Sequence, residues 1–225
     1  MDDKINYKII RSNRRTIAIV LKPDGNVIVR APYEASVEFI DNLVREKQGW
    51  IRKKLALIES EDTGAPLKNF VEGEEFPYLG RMYGLRFGEN VKDVIEIKDD
   101  LLIDSEYKNY VQAVLKVFYR YRAYEYLKER VIQLSRETGL GYKDIKITNG
   151  KYRLATCTQD NRLRFSYLLV MIPVEISDYI IYHELSHIKE KNHSPRFWKL
   201  VEVYVPDYRQ KKKWLKENIN KYKFL

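Results

Sequence analysis

One cysteine, Cys157, stands in 225 residues, and its isolation excludes an intramolecular disulfide. Long apolar runs are missing as well. The longest, Tyr167 to Val174, contains Pro173 and falls far short of the roughly 20 residues that a membrane helix needs. Met1-Asp2-Asp3-Lys4 shows no basic region followed by an apolar stretch, so no secretory signal is read there. These lacks predict a cytoplasmic protein with no membrane partner. No internal repeat or low-complexity tract is visible, and the N-terminal part shows no phosphate-binding glycine loop. Histidine is scarce too, with three in the whole chain.

What is present is enough for a folded protein. Hydrophobic residues make up 44% of the chain, which supports a core and excludes a disordered polymer. Eighteen tyrosines suit grooves and half-buried faces, where the ring packs and the hydroxyl stays wet. The net charge is +9, and two segments carry most of it. Lys8 to Arg30 holds six basic residues against one acidic, and Arg209 to Lys223 holds seven against one. A basic surface suits a polyanionic partner such as nucleic acid, or an acidic substrate. No nucleic-acid motif accompanies the charge, so a solvated basic face is the plainer reading.

The pattern of elements predicts an α+β protein. Residues 16–30 read as a hairpin, with Ile17, Ile19 and Leu21 facing Val27 and Val29 across a turn at Pro23-Asp24-Gly25-Asn26. Ser36 caps a helix running to about Ser60, with Phe39, Leu43, Trp50 and Leu57 on its apolar face. Glu61 to Pro66 reads as a loop or short linker. Residues 70–104 read as short antiparallel strands, turning at Gly80-Arg81 and at Lys98-Asp99-Asp100. A long helix over about Ser105 to Thr138 keeps Val111, Val114, Leu115, Phe118, Tyr121, Leu127, Val131 and Leu134 at helical spacing, and Gly139 and Gly141 end it. Strand character returns over 145–172. Helices follow over about 174–190, after Ser194-Pro195 with Phe197, Leu200 and Val201 inward, and over about 207–222. The expected division is an N-terminal β-rich part, residues 1–104, and a catalytic part, residues 105–225.

The stretch His183-Glu184-Leu185-Ser186-His187 organises the chain. Two histidines four apart on a helix project from one face and can share one Zn²⁺, and Glu184 can reach a water on that metal. All three histidines lie between His183 and His193. A straight helix would turn by roughly 600° over the six residues after His187, aiming His193 away from the pair. The helix must therefore stop. Asn192 tolerates the left-handed conformation that ends helices, and Ser194-Pro195 signals the start of another. Three protein ligands leave a fourth position open, which marks a catalytic site. Glu202, or less readily Glu190, is the substitute should His193 not bind. Glu184 is the expected general base. Tyr182, Tyr208, Arg153 and Arg164 are candidates to stabilise an oxyanion. Cys157 reads as a small buried hydrophobe, with a fourth-ligand or redox role as the alternative.

The chain from Lys151 onward resembles the YgjP-type metallopeptidase-like domain, a zincin relative of the SprT-like and WLM proteases. The residues that carry this are Tyr152-Arg153-Leu154-Ala155-Thr156-Cys157, Asn161-Arg162-Leu163-Arg164-Phe165, Tyr182-His183-Glu184-Leu185-Ser186-His187, His193-Ser194-Pro195-Arg196-Phe197-Trp198 and Pro206-Asp207-Tyr208. The N-terminal hairpin and Gly49-Trp50-Ile51 fit as well. The family's Gly-Ser-Cys reads Ala155-Thr156-Cys157 here. The histidine spacing also matches metzincins, but Glu190 holds their glycine position and no methionine follows His193. The resemblance implies a zincin-like catalytic part, with an antiparallel-edged sheet beside the HExxH helix. In zincins the strand before that helix is the sheet edge, which makes 161–170 the expected peptide strip, with Arg164, Phe165 and Tyr208 as substrate contacts. The expected activity is zinc-dependent hydrolysis of a peptide or protein. Two alternatives stay open. One is a nucleotide phosphoanhydride hydrolase, which the resemblance also implies but which lacks the usual Mg²⁺ carboxylate cluster. The other is a nucleic-acid-associated protease of SprT-like type.

Overall fold

The computed structural model describes residues 5–21, 26–59, 67–150 and 153–225. Among these lie six α-helices and three small mixed sheets. The chain divides into two compact units, Met1–Gly64 and Ala65–Leu225. The division falls in the stretch expected to be a linker, not at 104/105, so the strands of 75–104 belong with the helices that follow them. Residues 61–66 themselves, like Pro23, Asp24 and Gly25 of the expected turn, lie outside the described residues. No described helix is long and apolar enough to cross a membrane.

In the first unit, β2 (Ala18–Leu21) runs antiparallel to β3 (Val27–Ala31), as the hairpin requires. A strand that the pattern did not announce, β1 (Tyr7–Arg11), lies parallel on the other side of β3. The expected single helix is two. α1 (Val37–Glu46) starts on the Ser36 cap, whose Oγ accepts the Phe39 N–H at 3.2 Å. Lys47 then leaves helical geometry at ψ 4°, and α2 (Gln48–Glu59) follows. The buried face is Ile40, Val44 and Ile51, while Phe39 and Trp50 are exposed. The Leu57 side chain is outside the described set. Three apolar positions at helical spacing define a stripe, but a second stripe one residue away fits the same period.

In the second unit, β4 (Glu75–Tyr78) and β5 (Arg81–Gly88) form a hairpin, as do β6 (Ile95–Ile97) and β7 (Leu101–Asp104). The hairpins join through β5 and β7, which run parallel, so the sheet order is β4-β5-β7-β6 and not the expected antiparallel series. Alternation tells which side chains face inward but not which way a neighbour runs. After a 3₁₀ turn at Ser105–Tyr110, α3 (Val111–Thr138) runs to Gly139, whose φ of 69° closes it. Its buried stripe is Val111, Leu115, Phe118, Tyr119, Ala123, Leu127, Val131 and Leu134. Tyr121 was expected on that stripe and is exposed, because the small Ala123 continues it instead.

The third sheet holds β8 (Asp144–Thr148), β9 (Ala155–Cys157) and β10 (Arg162–Ser166) in the order β8-β10-β9. β10 is parallel to β8 and antiparallel to β9. It is therefore the middle strand, and the expectation that 161–170 forms the sheet edge is corrected. The apolar run at 167–170 is a buried 3₁₀ turn, not a strand end. α4 (Val174–Lys189), α5 (Pro195–Tyr204) and α6 (Tyr208–Asn218) complete the unit. Gly80, at φ 80°, sits against the start of α4. A Cβ added there would come within 2.9 Å of Pro173 Cα.

Candidate metal centre

α4 is apolar on most sides because it is buried on most sides. Ile176, Tyr179, Ile180, Ile181, Tyr182 and Leu185 are all covered. Pro173 supplies no N–H but its carbonyl accepts the first helical bonds, from Ile176 and Ser177. Two polar links hold α4 to α3. Arg130 donates from Nε and Nη2 to the two carboxylate oxygens of Asp178, at 2.7 and 2.6 Å. The Tyr182 hydroxyl donates to Glu137 at 2.8 Å. The helix that carries His183 and Glu184 is thus fixed in rotation before any ion binds.

The helix stops where the spacing demanded. Glu190 adopts an extended backbone, φ −124° and ψ 99°, while its N–H still bonds to the Ser186 carbonyl. The reversal does not use a left-handed Asn192, since Asn192 is absent from the positive-φ residues. Ser194 Oγ then caps α5 on the Phe197 N–H at 3.4 Å, with Pro195 in its first turn. This brings His193 back over the helix. His193 Nε2 lies 3.0 Å from His183 Nε2. One nitrogen from each of His183, His187 and His193 falls within 4.8 Å of the others, and no other such group of potential ligands occurs among the described residues. Neither Glu190 nor Glu202 joins the group.

The protonation states of the histidines suit metal ligation. Burial, aided by His187, His193 and Lys212, pushes His183 down to about 3, so it stays neutral and keeps a lone pair. His187 is lowered mainly by burial. Its Nδ1 faces the Glu190 carbonyl at 3.0 Å, which leaves Nε2 as the free nitrogen. His183 Nδ1 is buried with no hydrogen-bond partner. Nitrogens on a tetrahedral zinc, at about 2.0–2.1 Å each, stand roughly 3.3 Å apart, close to the observed pair. The residues present therefore fit a zinc-sized ion.

Glu184 is 6% exposed. Burial pushes its carboxyl up to about 7, opposed by a hydrogen bond from the Cys157 N–H and by the Arg153 charge. That bond has a simple origin. Thr158 N–H bonds to the Arg162 carbonyl and Ser166 N–H to the Leu154 carbonyl. Residues 154, 156 and 158 therefore spend their backbone groups on β10, and those of Ala155 and Cys157 point to the open edge of β9. Glu184 takes the Cys157 N–H. Ala155-Thr156-Cys157 forms a strand and not a turn, so it needs no glycine.

The other expected residues fall elsewhere. Phe165 is fully buried. Arg164 is exposed and alternates with the buried Leu163 and Phe165, so it points from the opposite face of the sheet. Tyr208 is 7% exposed, stacks on Trp198 at 5.2 Å, and its hydroxyl accepts from Arg209. Tyr182 is turned to Glu137 and Tyr204. Arg153 is the one oxyanion candidate whose charge reaches Glu184. Three neighbours of the histidines were not singled out from the sequence for the site. Phe197 is fully buried and packs its ring 4.4–4.9 Å from all three imidazoles. Trp198 stacks on His193 at 5.6 Å. Tyr179 lies edge-on to His183 at 6.2 Å. Tyr179 stands four residues before His183 on the same helix, and Phe197 and Trp198 lie in the His193–Trp198 stretch that carries the family resemblance, which are the signals that could have found them.

Comparison with known proteins bears on this geometry. The family model described as "YgjP-like, metallopeptidase domain" matches residues 15–218. No curated protein matches the chain. Two solved structures are similar to part of it. The metallopeptidase zymogen of Methanocaldococcus jannaschii jannalysin shares 23% identity at a TM-score of 0.38, over 41% of this chain and 95% of that one. The metallopeptidase zymogen of Pyrococcus abyssi abylysin shares 19% at a TM-score of 0.36, over 40% and 93%.

Proposed function

The chain belongs to the YgjP-like metallopeptidase domain family, and on that premise we propose that it is a zinc-dependent peptidase with a zincin-like HExxH centre. The observation that carries this reading is the convergence of three histidine nitrogens within 4.8 Å beside a buried glutamate. His183, His187 and His193 would hold the ion, which supplies Lewis acidity to polarise a carbonyl and to acidify a water. Glu184 takes the proton from the attacking water and delivers it to the leaving nitrogen. Burial raises this carboxyl in the metal-free site, and a bound dication would favour its ionised form, the form that a general base needs. The Cys157 N–H fixes which way that carboxylate points.

The peptide strip passes from β10 to β9. An extended substrate pairs with the outward N–H and C=O of Ala155, which the register leaves free on the side where Glu184 sits. The phosphoanhydride alternative is not favoured, since no carboxylate cluster joins the histidines among the described residues. A nucleic-acid partner has no support from the family match, whose description names peptidase chemistry.

The test is a product screen by mass spectrometry. Zinc-loaded protein meets a pool of peptides and nucleoside triphosphates, with Glu184→Gln as control. We expect peptide cleavage that drops by about 10²–10⁴-fold in the variant while zinc content is unchanged. Release of pyrophosphate or of a nucleoside monophosphate, lost in the variant, would replace this reading with the phosphoanhydride one.

A further inference from the structure

Three lysines stand in a row on α6, and their surroundings differ. Lys211 pairs with Asp207 one turn back, and Lys213 with Glu217 one turn on, at 4.0 Å. Lys212, between them, has no carboxylate at ion-pair distance among the described residues. Its ammonium lies instead 4.5 Å from the centre of the Trp198 ring. That ring stacks on His193 and lies 5.7 Å from the His183 ring. The Lys212 charge is felt at His183. Lys212 itself is exposed, so a ligand approaching the histidines meets it.

Lys191, whose charge reaches His187, already donates to the Thr158 carbonyl and to Asn161. Lys212 has no such partner among the described residues, and it opposes the binding of a divalent ion at the histidines. A bound anion close to both charges removes that opposition. Arg153, also exposed, favours the charged form of Glu184. Glu217 lies one turn beyond Lys213 and serves that lysine, whereas the positions one turn either side of Lys212 are Tyr208 and Lys216, neither of them a carboxylate. Lys212 is the one left for something outside the chain.

We propose that Lys212 is a specificity-determining residue, whose ammonium binds an acidic side chain of the substrate next to the bond that is cleaved. The inference rests on the metallopeptidase reading above. A lysine that only lays its stem over an indole would have no such preference, and the two roles separate by experiment.

The probes are short peptide hydroxamates in matched pairs, Asp against Asn at each residue flanking the hydroxamate. Binding to the zinc-loaded protein is followed by titration calorimetry, which needs no turnover. In one pair the Asp ligand should bind about tenfold tighter than its Asn isostere. Lys212→Arg should keep that preference, Lys212→Ala should bring the ratio to about one, and Lys212→Glu should reverse it. Lys213→Glu makes the same charge change one residue away and should leave the ratio unmoved. Equal affinities within every pair for the unaltered protein would overturn the inference and leave the metal centre standing. So would an equal loss in Lys212→Glu and Lys213→Glu, which would trace the preference to the general basic field. If no hydroxamate binds at all, the metallopeptidase reading falls, and this inference with it.

Discussion

At the scale of the residue, Glu184 has opposite effects on stability and on chemistry. In the folded, metal-free protein its carboxyl is raised from 4.5 to about 7 by burial. Between those values the folded state still holds a proton that the unfolded chain has released. Stability is therefore lost as pH rises through that window. His183 has the reverse sign, since its folded value is about 3 against 6.5 unfolded, and stability is lost as pH falls below 6.5. The His183 contribution is common to the unaltered protein and to Glu184→Gln, and cancels when they are compared. Metal-free Glu184→Gln should melt higher at pH 8, by about 1–3 kcal/mol, and the gain should vanish near pH 5. Calorimetric scans of chelator-treated protein at both pH values read this, and a gain independent of pH would remove burial as its cause. The three histidines and Glu184 were legible because they lie within one helix and its exit. Trp198 and Lys212 were not, because stacking on His193 depends on where two later helices land.

At the scale of the element, β9 is the part whose role changed most between sequence and structure. Its three residues are too few to announce a strand, and the expectation that 161–170 is the edge comes from the place of the corresponding strand in zincins, not from any mark of edge position in this sequence. The register now makes a sharp prediction. Ala155→Pro removes an N–H that points outward and spares the ladder to β10, so stability should fall by less than about 1 kcal/mol. Peptide kcat/KM should drop by at least about tenfold. Thr156→Pro removes a ladder bond instead and leaves a β10 carbonyl without its donor, so it should destabilise the unit by about 1–3 kcal/mol. Urea unfolding with peptide kinetics on both variants distinguishes them, and unchanged kinetics in Ala155→Pro would exclude β9 as the strip. The caps were readable in advance, since Ser36, Gly139 and Ser194 act on their own neighbours. Sheet order was not, because strand direction leaves no mark in alternation. Ser194→Ala should cost about 1 kcal/mol by denaturation, and in a competition assay it should weaken zinc binding, since His193 precedes that cap.

At the scale of the whole molecule, the three histidines, Glu184, β9 and Lys212 all lie in the unit Ala65–Leu225. That unit has its own apolar core, drawn from all its described helices and from both of its described sheets. The fragment 65–225 should fold alone and bind one zinc with an affinity within about threefold of the full chain. Circular dichroism and zinc stoichiometry check this, and a fragment that is unfolded or zinc-free would show that the first unit is needed. The seat of α4 lies in the same unit. The turn before β5 presses on Pro173 at Gly80, where even a methyl group has no room. A ribosome makes that turn long before it makes the helix. Yet that turn is settled only by later parts of the chain, since the Leu79 N–H waits for the Val170 carbonyl and the Pro77 carbonyl for the Tyr119 hydroxyl. A substitution at Gly80 would be felt first as poor yield of native chains, and only in the survivors as a change in catalysis.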